Sequence, residues 1–158
     1  MRNVLPENSK IVEAIAPVVG TGASTGDYVS LKNAGLCFVL VHLTQAHAAT
    51  TEITIEKAQN VAGDGSTPIT KAVPIWANED CAASDALVPQ ANGVGFTTSA
   101  ALKHKQVILQ IDPATLGDGF TCITVKAGAS NSANIIAAQY ILTDLRQQAE
   151  TPPTAITD

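Results

Sequence analysis

Residues 51–58 read TEITIEKA, and their side chains divide by parity. Thr51, Ile53, Ile55 and Lys57 fall on one face; Glu52, Thr54 and Glu56 fall on the other. A period of two belongs to a strand with one face on a core and one on water. Similar runs recur along the chain: SKIVEAIA (9–16), YVSLK (28–32), LCFVLVHL (36–43), ITKAVPIWA (69–77), GVGFTT (93–98), QVILQI (106–111), FTCITVK (120–126) and NIIAAQYILT (134–143). Gly, Asn, Asp or Pro cuts each one short. About eight or nine strands, spaced roughly ten residues apart, predict an all-β chain, a β-sandwich or jelly roll, rather than a βαβ fold.

Composition supports the strands. Val, Ile and Thr make up 43 of 158 residues, and their stiff side chains suit a pleated surface. Hydrophobic residues reach 46 %, enough for one core and too many for a disordered segment. Nine basic residues stand against fourteen acidic, for a net charge of −5. With no basic run, a nucleic-acid partner is not expected. Pro6, Glu7, Lys10 and Glu13 break up the first twenty residues, and no run approaches the about 18 apolar residues of a membrane helix. The expectation is a chain made and kept in a cytoplasm, away from membranes.

Local signals set the boundaries. An N-terminal arm covers residues 1–9, a β-sandwich domain 10–145, and a polar C-terminal tail 146–158. Pro17 ends the first strand, and the Gly-rich segment 17–27 is a connector. Residues 36–43 are apolar almost without interruption, which predicts a central strand buried on both faces. Pro74 confines its strand to an edge or a bulge. Residues 78–92 read as loop. Asp64-Gly65 and Asp118-Gly119 mark turns, and Asp112-Pro113 caps one short helical turn. The predicted core contains Val39, Val41, Ile53, Ile55, Leu109, Ile111, Ile123, Val125, Tyr140 and Leu142.

Groups able to do chemistry are scattered. GTGASTGD (20–27) lacks the Lys-Ser/Thr pair of a phosphate loop. His42, His47 and His104 have no neighbours at metal-ligand spacing. Lys103-His104-Lys105 reads as a solvated turn. The acidic pairs Glu52/Glu56 and Glu79/Asp80 lack the aromatic cleft of a glycosidase. Cys37 and Cys122 sit in apolar runs as small hydrophobes, and Cys81 lies in a polar loop. The expectation is no enzyme, with no catalytic, metal or cofactor-binding residue.

The segments TGDYVSLKNAGLCFVLVHL (25–43), ATTEITIEKAQNVAGDG (49–65), LQIDPATLGDGFTCITVKAG (109–128) and AAQYILTDLR (137–146) resemble small virion proteins of tailed bacteriophages, over roughly residues 10–146. The resemblance implies a capsid decoration, or cement, protein: a sandwich or jelly roll outside an icosahedral head that bridges major capsid protein subunits, as a dimer or trimer. It brings no active site. Under that reading the two arms are the contact elements. Pro6, Pro152 and Pro153 keep them extended, Val4, Leu5 and Ile156 are apolar anchors, and Arg2 and Arg146 face capsid carboxylates. The alternatives are another virion part (a head fibre base, tail tube or adaptor) and a carbohydrate-binding jelly-roll module. The second would need aromatic platforms, whereas Trp76 and the other aromatics read mostly as core.

Overall fold

A computed structural model describes residues 4–157. It is a sandwich of two antiparallel sheets. The strands are β1 (Lys10–Val19), β2 (Ser24–Thr25), β3 (Val29–Ser30), β4 (Leu36–Thr44), β5 (Glu52–Ala58), β6 (Thr67–Pro68), β7 (Val73–Asn78), β8 (Val88–Gly93), β9 (Gly95–Thr97), β10 (His104–Ile111), β11 (Cys122–Ala127) and β12 (Ile135–Thr143). The first sheet has the order β1-β12-β4-β10-β7-β8. The second runs β2-β11-β5-β6, with β3 also on β11 and β9 also on β5. Taking β2/β3 and β6/β9 as two interrupted strands, the chain crosses between sheets in the sequence of an eight-stranded jelly roll. The β7–β8 hairpin widens its first sheet.

Alternation drives this arrangement. In β4, β10 and β12 every second residue is buried, and their inward sets meet those of β5 and β11. All ten residues of the predicted core are buried, Tyr140 among them at 0 % exposure. Residues 134–143, compatible with a helix by composition, form β12 because Ile136, Ala138, Tyr140 and Leu142 share the inner face. Turn chemistry holds as well. Gly65 and Gly119 adopt φ of 63° and 81°, a region closed to most side chains. Asp112 caps the short turn Pro113–Thr115 by accepting the Ala114 N–H at 2.9 Å.

Several expectations change. β1 runs through Pro17 instead of ending there, because an edge strand with register shifts after Glu13 and Ile15 needs no N–H at that position. Pro74, by contrast, meets the expectation of an edge or a bulge in its second form: its strand is interior, and a register shift between Val73 and Ile75 relieves the ladder. Part of the loop read over 78–92 is β8, whose Pro89 and Gly93 hid the signal; being at the sheet edge makes both tolerable.

Both terminal segments also depart from extended arms. Leu5–Asn8 forms one helical turn with Pro6 in its first positions; the fixed φ of proline suits a helix start as well as an extended chain. Residues 146–157 have no regular structure yet lie on the body of their own chain. Pro152 and Ala155 are buried, the Ser30 N–H donates to the Ala155 carbonyl at 2.7 Å, and Lys10 Nζ donates to the Pro152 carbonyl at 3.1 Å.

Candidate functional site

The outward residues of the first sheet form rows across its strands. The middle row is Glu13–Gln139–Leu40–Ile108–Trp76–Pro89, running over all six strands. One pleat away lies Ile11–Ile141–Phe38–Gln110, and on the other side Ala137–His42–Gln106–Asn78. A further row carries Val19–Ile135–Thr44–His104. Within these rows, among the described residues, Glu13 is the single Asp, Glu, Lys or Arg. Ile11, Val19 and Ile135 are exposed, at 48 %, 49 % and 44 %. Phe38, Leu40, Trp76, Ile108 and Ile141 are half-buried by one another.

This face corrects the reading of β4 as buried on both sides. Cys37, Val39, Val41 and Leu43 point into the core, while Leu36, Phe38 and Leu40 alternate outward with no third layer above them. It corrects the reading of the aromatics too. Tyr140 alone is fully buried. Phe96 and Phe120 pack partly against the core, and Phe38 and Trp76 lie on the open face. On the same face a hollow of about 150 Å³ is lined by Leu40, His42, Gln106, Ala137, Ala138 and Gln139. The small Ala137 opposite His42 makes the space.

The second sheet presents the opposite character. Glu52 is exposed, and Glu56 makes an ion pair with Lys126 at 2.8 Å. That pairing, with a hydrogen bond from Ser66, holds the Glu56 carboxyl below its ordinary range.

The predicted contact residues gather at one end of the sandwich without forming one surface. Arg2 lies outside the described residues. Val4 is half-buried, and its carbonyl accepts from the Glu7 and Asn8 N–H groups. Leu5 and Ile156 point to solvent, at 53 % and 56 % exposure. Arg146 is exposed; its N–H donates to the Asn33 carbonyl at 2.8 Å. With Lys32, Pro113 and Phe120 it borders a hollow of about 350 Å³. Pro152 is buried and Pro153 exposed. Pro6 and Pro152 share the rim of another space, of about 300 Å³.

The opposite end holds a group the sequence reading placed wrongly. Lys105 is not part of a solvated turn: its side chain is 0 % exposed. It alternates with Val107 and Leu109 on the inner side of β10. Its ammonium donates to the Ser99 carbonyl at 2.6 Å and to Ser99 Oγ at 2.9 Å, with Glu79 Oε2 3.9 Å away. Burial holds its pKa below the usual lysine range, and Glu79 opposes that shift. Lys103 pairs with Asp80 at 2.8 Å just outside. The neighbouring Cys81 thiol is pushed up by burial and by the Asp80 charge, so it stays protonated. His42, His47 and His104 are exposed. Among the described residues no three His, Cys, Asp or Glu side chains stand close enough to hold a metal ion, and no helix is long and apolar enough to cross a membrane.

No family model matches the sequence, and no curated protein does. Solved structures share the outline at low identity. The SPBc2 prophage-derived protein YomS aligns over 87 % of this chain and 94 % of its own, at 12 % identity and a TM-score of 0.49. The CBM22-1–GH10 modules of Clostridium thermocellum xylanase 10B, complexed with xylohexaose, align over 92 % of this chain and 30 % of theirs, at 6 % identity and 0.43. An empty virus-like particle of cowpea mosaic virus aligns over 99 % and 90 %, at 10 % identity and 0.43. At these scores the likeness adds nothing to the strand order, on which the fold assignment rests.

Proposed function

We propose that this protein is a structural component of a phage virion: a decoration protein that stabilises an icosahedral head by bridging major capsid protein subunits. The role is mechanical rather than enzymatic, and its place is the outside of the capsid. One observation carries the reading. The outer face of the first sheet carries an apolar cluster, Ile11, Phe38, Leu40, Trp76, Ile108 and Ile141, and among the described residues Glu13 is the one Asp, Glu, Lys or Arg in its rows. Soluble proteins rarely leave such a face open unless a partner covers it. An interface without charges is indifferent to salt and gains its free energy from buried area. The resemblance of the sequence to small phage virion proteins supports a capsid shell as the partner of this face.

The test is occupancy on undecorated heads. Leu40→Lys and Ile108→Glu each place a charge at the middle of the face while leaving the inner core intact. Each should melt near the parent temperature and lose most of its binding, and binding by the parent should persist in high salt. Full occupancy by both variants would overturn the assignment of this face.

A second reading has one observation of its own. Trp76 lies half-buried on the same outer face as a hollow rimmed by His42, Gln106 and Gln139, and a ring with hydrogen-bonding side chains on one face suits a neutral saccharide. Binding to a glycan array that disappears in Trp76→Ala would favour it over a capsid partner.

A further inference from the structure

The C-terminal segment shows what the end of this sandwich binds. Up to Gln147 the chain is pinned to the body: Gln147 N–H donates to Asn33 Oδ1 at 2.7 Å, and Asn33 Nδ2 donates back to the Gln147 carbonyl at 3.1 Å. Residues 148–151 are then fully on the surface. Beyond them residues 152–157 form a strap held at two points. Pro152 is buried beneath the Lys10 ammonium, and Ala155 is buried with its carbonyl on the free edge of β3, at Ser30 N–H.

The strap fills its seat poorly. A space of about 210 Å³, floored by Leu142 and Leu145, remains beside Pro153 and Ala155. Another of about 300 Å³ separates Glu150, Thr151 and Pro152 from the Pro6–Ile11 region. Both spaces are open clefts wide enough for water, so protein packs against only part of the strap there. The longest apolar side chain of the strap, Ile156, is not in the groove at all. This is a weakly held segment behind an exposed hinge, on a strand edge that accepts an extended chain.

We propose that the strap is exchangeable between copies of this chain, so that residues 152–157 of one copy seat on the Lys10–Ser30 groove of a neighbour. The occupant is set by the structure itself, since the contacts that hold the strap, Lys10 to Pro152 and Ser30 to Ala155, are made with this sequence. The Lys10–Pro152 and Ser30–Ala155 contacts are made beyond the hinge and can be remade unchanged in a second copy. Straightened, hinge residues 148–151 let Gln147 and Pro152 stand about 17 Å apart, enough to pass between two sandwiches in contact. Pro152 and Pro153 keep the released segment extended. At low concentration the tether favours the chain's own strap. Crowding on a common surface raises the concentration of neighbouring grooves until exchange competes.

The test uses paired cysteines in a Cys81→Ser background, since Cys37 and Cys122 are buried. Ser30→Cys with Ala155→Cys places one thiol on each side of the strap contact. Asn33→Cys with Gln147→Cys does the same on the body side of the hinge. Both are oxidised with copper–phenanthroline over a range of protein concentrations without any capsid present, and read on non-reducing gels. The Asn33/Gln147 pair should close within single chains throughout. The Ser30/Ala155 pair should close within chains when dilute, and its covalent dimers and longer chains should grow with concentration. Closure of the Ser30/Ala155 pair within single chains at every concentration would overturn exchange. A Ser30/Ala155 pair that never closes would overturn the contact itself. Because no capsid is used, these results are independent of the proposed partner.

Discussion

The Tyr140 hydroxyl accepts the Val125 N–H at 2.9 Å. It donates onward to the Asp27 carbonyl at 2.8 Å. One oxygen thereby joins β12 of the first sheet to β11 of the second and to the crossing between β2 and β3. Burial pushes this phenol above its ordinary pKa, so it remains a donor at neutral pH.

Tyr140→Phe keeps the ring and removes that oxygen, leaving a buried N–H and a carbonyl unpaired. The expected loss is about 1–3 kcal/mol, measured by urea denaturation. A loss below about 0.5 kcal/mol would show that water replaces the bond.

The core and the outer face of the first sheet should answer differently to truncation. Ile55→Ala and Ile123→Ala, both at 0 % exposure, should cost about 2–5 kcal/mol each. Leu40→Ala and Ile108→Ala, on the outer face, should cost the isolated protein less than about 1 kcal/mol. Comparable losses in both sets would mean that the outer face is covered in solution, by a second copy.

Lys105 and Lys103 are two residues apart, one buried under Ser99 and one paired with Asp80 at the surface. Lys105→Ala strands the Ser99 carbonyl and opens a cavity, for an expected loss of about 1–3 kcal/mol. Lys103→Ala should change stability by less than about 1 kcal/mol. Thermal melts of the two variants decide it; equal effects would return Lys105 to the surface.

Acid should act partly through Glu56. Its carboxyl is held below the ordinary range in the folded chain by Lys126 and Ser66, so the unfolded chain takes up its proton first as pH falls. Its contribution is complete above the unfolded pKa and is lost as pH drops through the folded one. Glu56→Gln should therefore lower stability at pH 7 by about 0.2–1 kcal/mol and leave a flatter pH dependence between 5 and 3, roughly the range of carboxyl titration. An unchanged slope would remove Glu56 from the acid response.

The sandwich was legible because burial alternates with a period of two. Ile53/Ile55 and Ile136/Tyr140 declare their faces without any tertiary information. What stayed hidden has specific causes. LCFVLVHL offers two apolar faces, and sequence alone does not distinguish a second layer of the same chain from one supplied by a partner. Lys105 is hydrophilic by type, but its parity with Val107 and Leu109 pointed inward; the Lys-His-Lys cluster outweighed that signal. Trp76 fits a core or a platform equally until its neighbours are known. Prolines near a terminus encode limited φ, which fits both the Leu5–Asn8 turn and the strap, and hydrogen bonds to Lys10, Ser30 and Asn33 decided where the tail lies.

The two outer surfaces of the sandwich are chemically unequal, and under the proposed role this sets how far decoration would go. With the first sheet's outer face seated on a shell, what remained outward would carry Glu52, Glu56 and Lys126, where a second molecule would have to strip water from charges. On that reading decoration would end at one coat. A monolayer of fixed thickness would then follow from the parity of the strands, with no separate signal needed to end growth.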